Sequence, residues 1–205
     1  MIKIAISQRE EYVIKTSETR DCLDRKWYYF ADMLAGELFP IANIPNMVEK
    51  YLDNILPDAI ILSGGNSLAI HMNSDVSMER DKTERKMLNW AIMNNIPVLG
   101  VCRGMQMINH YFGGHEVFVE GHVGQNHSIQ NLSDFDFEFI VNSYHNYGIT
   151  EQILSSKCAV LAKCDDVVEA LTVRGKKIWG IMWHPERVEG FSQKDIKFIK
   201  KVLEL

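Results

Sequence analysis

A cysteine between two glycines is the first residue of this chain whose type and setting could do chemistry. Cys102 follows an apolar run at residues 96–101, which predicts a buried strand of a parallel sheet, and helical spacing begins after it. Gly100 and Gly104 flank it as small residues flank the nucleophile of a strand–turn–helix elbow. The N-terminus of the following helix favours a thiolate at such a turn. The pattern predicts a nucleophilic thiol, and the alternative is a buried structural cysteine.

A histidine at the end of another predicted strand could serve as the base that a thiol nucleophile needs. His184 follows the apolar run at residues 177–182, Pro185 restricts the backbone after it, and Glu186 could fold back to orient the imidazole. The carboxyl ends of parallel strands share one edge of a sheet, so Cys102 and His184 can meet there. This set predicts acyl transfer through a thioester, followed by hydrolysis. A lone histidine at such a place is otherwise structural or faces solvent.

Two further polar segments follow predicted strands and could contact the substrate. Gly64 and Gly65 follow the strand at 58–62, where a glycine pair can turn N–H groups toward a ligand or simply form a tight turn. One of these N–H groups, with that of Arg103, could form an oxyanion hole. The small polar residues 142–146 follow another predicted strand and suit hydrogen bonding to a charged end of a ligand.

Strands and helices that alternate along the chain must position these residues. The pattern predicts one α/β domain over residues 1–205, with a mostly parallel central sheet and helices on both faces. It also predicts a loop at 7–22, an antiparallel pair at 158–163 and 167–173, and a C-terminal helix from Ser192. The polar segments 7–22 and 114–133 are candidates for a lid over the site.

The composition restricts the partners of the chain. Apolar residues make up 46% of its 205 residues and the net charge is −5, which argues against nucleic acid and membrane surfaces as partners. No window is apolar enough to cross a membrane, and no signal peptide precedes the first strand. The four cysteines form no C-x-x-C pair and no zinc spacing. We therefore expect a cytoplasmic protein with reduced thiols.

Three histidines in a short polar segment raise the question of a metal. His115, His122 and His127 lie seven and five positions apart, and no helical i, i+4 pair or carboxylate cluster accompanies them. The spacing favours a surface strand or a wall of the cleft over a metal site.

Five sequence blocks, in this order, resemble the class I glutamine amidotransferases, and more closely their free-standing γ-glutamyl hydrolase branch. The resemblance extends over almost the whole chain. The blocks are Ser63-Gly64-Gly65, Arg80-Asp81-x-x-Glu84, Cys102-Arg103-Gly104-Met105-Gln106, Asn142-Ser143-Tyr144-His145 and Trp183-His184-Pro185-Glu186.

The resemblance implies a three-layer, flavodoxin-like α/β fold and a role for each matching residue. Cys102 would be the nucleophile, His184 the general base and acid, and Glu186 the group that orients His184. Backbone N–H groups of Gly65 and Arg103 would form the oxyanion hole. The residues implied to hold the glutamyl group are Gly64, Gln106, Ser143 and Tyr144. The reaction would hydrolyse a γ-glutamyl amide bond and release glutamate, with no metal or organic cofactor.

The sequence specifies the leaving group of the substrate less well than the glutamyl group, because the chain departs from the family pattern on the leaving-group side of the pocket. His145-Asn146-Tyr147 stands where many members carry His-His-Gln, and the chain is shorter than many γ-glutamyl hydrolases. Among short members it is similar to bacterial hydrolases that release glutamate from a γ-glutamyl cytidine-diphosphate amidate in capsule biosynthesis. A hydrolase of γ-glutamyl polyamines or γ-glutamyl-aminobutyrate is an alternative.

Two other classes of function stay open. The chain could be a glutaminase subunit that delivers ammonia to a separate synthetase, although no synthetase domain follows Leu205. It could also be a non-catalytic relative, which the intact set of Cys102, His184 and Glu186 disfavours. The expected partner is a small γ-glutamyl substrate. A homodimer is compatible with the resemblance, and a synthetase partner is expected only for the subunit.

Overall fold

The fold is built on one eight-stranded sheet with helices on both faces. The computed structural model describes residues 1–71 and 75–205. The strand order in the sheet is β4-β1-β5-β6-β14-β13-β12-β9. The first five strands in this order pair in parallel, and the last three pair antiparallel. The prediction of a mostly parallel sheet in a flavodoxin-like α/β fold is confirmed.

The elements follow one another in the described residues with short connections. The strands are β1 Ile2–Ser7, β2 Arg9–Val13, β3 Glu18–Cys22, β4 Gly36–Ile41, β5 Ala59–Leu62, β6 Val98–Val101, β7 Val117–Phe118, β8 Val123–Ser128, β9 Gln130–Asn131, β10 Ile140–Tyr144, β11 Tyr147–Gly148, β12 Cys158–Cys164, β13 Val167–Val173 and β14 Ile178–Ile181. The α-helices are α1 Lys26–Met33, α2 Val48–Ile55, α3 Met78–Asn94, α4 Arg103–Tyr111 and α5 Gln193–Leu203, and short 3-10 helices span Pro45–Met47, Ala69–His71 and Pro185–Arg187.

The central strands are covered on both faces, which is why they read as continuous apolar runs. Every residue of β5 and β6 is buried. Helices α2 and α3 pack against β1, and α4 packs against β5, β6 and β14, while α1 and α5 contact β4 and β6 respectively. Strands buried on both faces are characteristic of parallel sheets in α/β proteins. The carboxyl ends of β5, β6 and β14 therefore come together at one edge.

The prediction of a loop at 7–22 is wrong, because most of this segment forms a hairpin. Strands β2 and β3 pair antiparallel, with Arg9 opposite Cys22 and Glu11 opposite Arg20. Most of its side chains are at least partly exposed on both faces. A ribbon that buries neither face has no alternation of apolar and polar residues, so the sequence lacks the usual signal of a strand.

A second polar excursion leaves the sheet between α4 and β12. Within it, β8 pairs antiparallel with β10, and β7 pairs with β11. This excursion contains residues 142–146, and it contains most of the segment 114–133 that the sequence nominates as a lid. A lid function for either polar segment stays a prediction. In the described ranges, no helix has the length and apolar character that a membrane crossing would require.

Candidate active site

Cys102 lies on a sharp turn between β6 and α4 at the carboxyl edge of the sheet. Its backbone has φ 53° and ψ −108°, a conformation that is rare for a residue with a side chain. A Cβ atom on Gly100 would lie 2.5 Å from the main chain of Gly104, and one on Gly104 would collide with the main chain of Leu62. The two glycines therefore let the turn pack closely, and strain of this kind is typical of functional sites.

His184 and Glu186 form a buried pair after the end of β14. The Nδ1 atom of His184 lies 2.6 Å from Oε1 of Glu186, and both side chains are 2% exposed. A carboxylate can only accept a hydrogen bond, so Nδ1 carries the proton. Burial would lower the pKa of His184, but the Cys102 thiolate and the Glu186 carboxylate outweigh it and raise that pKa to about 9.

The side chains of Cys102 and His184 both lie close to Gly64. A Cβ atom on Gly64 would lie 2.5 Å from Cε1 of His184 and 3.5 Å from Cβ of Cys102. Only a glycine leaves room for the imidazole at this position. Gly64, which the resemblance placed on the substrate side, therefore lies against the histidine ring itself.

Asn142 is a site residue whose role sequence reasoning missed. Its side-chain nitrogen donates to the carbonyl of His184 at 2.8 Å, and its side-chain oxygen accepts from the N–H of His184 at 2.9 Å. The two bonds hold the histidine backbone from the side of β10. The sequence pattern predicts ligand contact for the block Asn142-Ser143-Tyr144-His145, whereas the amide of Asn142 bonds to the backbone of His184.

The guanidinium of Arg80 holds the glycine turn at residues 63–65 in place through hydrogen bonds. Its side chain is fully buried, and its guanidinium donates to the carbonyls of Ser63 at 2.6 Å, Gly64 at 3.0 Å and Gly65 at 2.5 Å. In a trans peptide the C=O and the following N–H point in opposite directions. The N–H of Gly65 must therefore point away from Arg80, and Gly65 lines the same cavity as His184. This orientation suits the predicted oxyanion-hole role of Gly65.

A buried ion network joins this turn to the cysteine elbow. Glu84 accepts from Nε of Arg80 at 2.9 Å and from the hydroxyl of Ser7 at 2.8 Å, and Arg103 donates to both Glu84 and Asp81. Arg103 is the first residue of α4, so its N–H has no acceptor within the helix. An N–H at this position can donate to a ligand beside Cys102. The side chain of Arg103 itself is committed to the network.

The three remaining predicted substrate contacts differ in their exposure. Gln106 is buried, and its side-chain nitrogen donates to the carbonyl of Tyr147 at 2.8 Å. Ser143 is also buried, and its hydroxyl donates to the carbonyl of His122 at 2.6 Å. Tyr144 is exposed, with its ring 5.8 Å from the ring of His184. Of these three residues, Tyr144 is the one whose side chain reaches the surface beside the histidine.

Two arginines lie at a small cavity next to the histidine. A cavity of about 100 Å³ is lined by Gly64, Gly65, His184 and Glu186, together with Arg9 and Arg187. The Nε atom of Arg9 is buried without a hydrogen-bond partner among the described residues. The guanidinium of Arg187 lies 4.7 Å from the centre of the Tyr144 ring. The cavity therefore places two guanidinium groups beside the candidate base, with Arg9 3.9 Å from Glu11 and Arg187 3.6 Å from Glu186.

A larger pocket shares Arg187 with this cavity and is lined by three carboxyl groups. Its volume is about 480 Å³, and Glu138, Glu189 and Asp195 line it with Tyr144 and Arg187. Burial raises the pKa of Asp195 to about 6. Three carboxyl groups make this pocket unfavourable for a phosphate group.

Comparison with known proteins agrees with this architecture. The sequence model described as "Glutamine amidotransferase class-I" matches residues 35–202. The chain is 34% identical over 201 residues to the "Gamma-glutamyl-CDP-amidate hydrolase" of Campylobacter jejuni subsp. jejuni, covering 97% of this chain and 96% of the relative. It is 28% identical over 149 residues to the "Carbamoyl phosphate synthase small chain" of Aquifex aeolicus, covering 71% of this chain and 37% of that one.

A solved structure shows the same fold. The crystal structure of a glutamine amidotransferase from Thermotoga maritima superposes with a TM-score of 0.67 at 15% identity, covering 99% of this chain and 84% of that one. The match of the family model, the relative from Campylobacter and the fold agree with one another. The chain belongs to the class I glutamine amidotransferase family.

Proposed function

We propose that this chain is a cysteine-nucleophile hydrolase that cleaves a γ-glutamyl amide bond and releases L-glutamate. The observation that carries the proposal is the strained elbow of Cys102, beside a histidine that Glu186 orients. A nucleophile next to a base that a third group orients is the arrangement that acyl transfer requires. The 34% identical relative bears the name of a γ-glutamyl amidate hydrolase, which supports the same reaction.

The proposed mechanism has two halves and consumes one water. The Cys102 thiolate attacks the γ-carbonyl carbon, and the N–H groups of Gly65 and Arg103 stabilise the oxyanion. The C–N bond breaks as His184 protonates the leaving nitrogen, which yields a γ-glutamyl thioester. His184 then takes a proton from water, the hydroxide attacks the thioester, and glutamate leaves as the thiolate is regenerated.

We further propose γ-glutamyl-CDP-amidate as the substrate. The diphosphate of such a leaving group needs cationic partners, and Arg9 and Arg187 provide them in the cavity beside His184. The larger, acidic pocket is unsuited to phosphate. Hydrolysis would give glutamate and the cytidine diphosphoramidate, whose nitrogen takes the proton from His184. A role in capsule biosynthesis stays a prediction. A cytoplasmic location is part of the proposal, supported by the four cysteines, which are all free thiols.

A substrate panel tests the proposal. Purified chain is offered glutamine, a γ-glutamyl polyamine, a folate polyglutamate and γ-glutamyl-CDP-amidate, and released glutamate is measured. We expect release from the nucleotide amidate to exceed the others in kcat/KM. Equal release from a polyamine or folate conjugate would overturn the substrate. If no glutamate were released from any of the four until a synthetase was added, the chain would instead be a glutaminase subunit. The similarity to a carbamoyl phosphate synthase small chain supports this alternative.

The arginines of the small cavity should affect one substrate selectively. Arg9→Ala or Arg187→Ala is expected to lower kcat/KM for γ-glutamyl-CDP-amidate by about 10- to 100-fold, the worth of a hydrogen bond to a charged group. Hydrolysis of an uncharged γ-glutamyl anilide should change little. Arg20→Ala is the matched control, because Arg20 lies on the same hairpin and is paired with Glu18 at the surface. Equal losses on both substrates would contradict a phosphate-binding role.

The pH dependence of kcat/KM should reveal the deprotonation of His184. The imidazolium of His184 supplies the proton to the leaving nitrogen, so kcat/KM should fall as pH rises through an apparent pKa near 9. Glu186→Gln removes a carboxylate that holds the proton on the ring, so this alkaline limb should move to lower pH. The measurement is kcat/KM from pH 6 to 10.5 for both proteins. An unmoved limb in the variant would show that Glu186 does not act on His184.

A further inference from the structure

A buried carboxylate outside the proposed active site faces three imidazoles. Glu169 lies on β13 with its side chain fully buried. Its Oε1 is 3.7 Å from Nδ1 of His122 and 3.6 Å from Nε2 of His145, and its Oε2 is 3.4 Å from Nε2 of His127. Among the described residues, none of these nitrogens and neither oxygen has a hydrogen-bond partner. Buried charges in proteins are normally paired, hydrogen-bonded or bound to a metal.

The separations match a metal coordination shell better than direct hydrogen bonds. Ligand atoms at about 2.0–2.2 Å from a tetrahedral zinc ion lie about 3.3–3.6 Å from one another. The three nitrogen–oxygen distances fall close to that range. The compact group of donor atoms, all within 4.8 Å of one another, comprises His122, His127 and Glu169, and His145 joins it through its 3.6 Å separation from Oε1 of Glu169. A direct hydrogen bond would instead bring nitrogen and oxygen to about 2.8 Å.

The protonation state of His145 also favours a bound metal ion. Its Nδ1 lies 3.0 Å from the carbonyl of Tyr147, and a carbonyl only accepts, so Nδ1 carries the proton. In the neutral ring the Nε2 lone pair then faces Glu169, which is unfavourable without a cation between them. An imidazole whose second nitrogen donates to a backbone carbonyl is the usual form of a metal-bound histidine.

The other rings of the cluster also suit neutral ligands. The ring centre of His122 lies 4.9 Å from that of His127 and 4.7 Å from that of His145. Protonation of all three rings would therefore bring three positive charges close together. Burial and the neighbouring His145 lower the pKa of His122. Three neutral imidazoles beside one buried carboxylate are the form in which these side chains would bind a metal.

We propose that His122, His127, His145 and Glu169 bind a structural Zn²⁺ ion. Three imidazole nitrogens and a carboxylate are a donor set that zinc accepts, and four protein ligands close the shell, as in structural rather than catalytic sites. The sequence interpretation disfavours a metal because it considers only residues that are close to one another along the chain. His115 lies outside the cluster, and His145 and Glu169 come from positions farther along the chain.

The ion would fix a segment that reaches the proposed active site. His122 and His127 belong to the β8 side of the excursion, His145 follows β10, and Glu169 anchors them to the central sheet. The carbonyl of His122 accepts from the hydroxyl of Ser143 at 2.6 Å and from the N–H of His145 at 3.1 Å. Zinc would therefore hold β8 and β10 on β13, beside Tyr144.

Metal content and stability test the site without using activity. Full-length chain is produced with zinc in the medium, desalted, and analysed by elemental mass spectrometry. We expect about one zinc per chain in the wild type, and loss of that zinc in His127→Gln and in Glu169→Gln. His115→Gln is the matched control, because His115 is an exposed histidine of the same excursion and should leave the zinc in place.

A chelator and cobalt provide the second readout. Chelation should lower the Tm of the wild type by about 4 °C or more and leave that of His127→Gln unchanged. Co²⁺ added to the chelated wild type should give the visible absorption of a tetrahedral complex. Absence of zinc and of that absorption in folded wild type would overturn the proposal, as would retention of zinc by a folded His127→Gln variant. Neither readout depends on whether the proposed hydrolysis is correct.

Discussion

Replacing Cys102 with alanine is expected to lower glutamate release from γ-glutamyl-CDP-amidate by at least about 10⁴-fold in kcat. Removing the nucleophile from a coupled catalytic set costs about as much as removing the set. Alanine tolerates the backbone of the elbow as well as cysteine does, so the fold should persist. The measurements are glutamate release by coupled assay, and trapping of the acyl-enzyme by intact-mass spectrometry, which should fail in the variant.

The matched control for this prediction is another buried cysteine. Cys158 lies on β12, and burial raises the pKa of its thiol to about 11, so it has little thiolate at neutral pH. Cys158→Ala should therefore retain most of the activity and the acyl-enzyme. If Cys102→Ala kept more than about one hundredth of the wild-type rate, Cys102 would not be the nucleophile.

Replacing Glu84 with glutamine is expected to reduce the free energy of unfolding by about 3–5 kcal/mol. Burial would raise the pKa of Glu84, but Arg103 and Arg80 outweigh it and lower that pKa, so the group is a buried carboxylate between two buried guanidinium groups. Glutamine conserves the shape but leaves those two positive charges without their common counter-charge. Urea unfolding followed by circular dichroism measures the loss.

Glu79 provides the control on the same helix. It pairs with Lys82 three residues later, and about half of each side chain is exposed. Glu79→Gln should change the free energy of unfolding by no more than about 0.5 kcal/mol, because exposed pairs contribute little. Similar losses in the two variants would show that the buried network of Arg80, Glu84 and Arg103 does not stabilise the fold as we infer.

Several parts of the fold and site could be predicted from local pattern. The strand before Cys102 reads as an apolar run because helices cover both of its faces. The glycines at 100 and 104 are visible in the sequence because a close turn excludes side chains there. The hairpin at 9–22 could not be predicted in this way, since neither of its faces is buried.

Side chains that act through partners far along the chain were harder to predict. At the start of α3, Arg80 lies beneath the glycine turn and donates to its carbonyls, a role that no local pattern predicts. The substrate contact of Ser143 stays a prediction, and the structure adds that its hydroxyl donates to the carbonyl of His122. Each of these roles depends on which strand lies alongside, and sequence spacing does not carry that information.

The sequence by itself determined the fold class, the family and the candidate nucleophile. The fold class and the elbow follow from backbone periodicity and from steric demands at a turn, which act over a few residues, and the family follows from the resemblance of the five sequence blocks. The tertiary structure decided which charges are buried together. The partners of Glu84 and Glu169 come from separate elements, and only sheet order and burial bring them within a few ångströms of each other. Electrostatic interactions depend on distance and burial in space, which is why the ion network and the histidine cluster appear only in the folded chain.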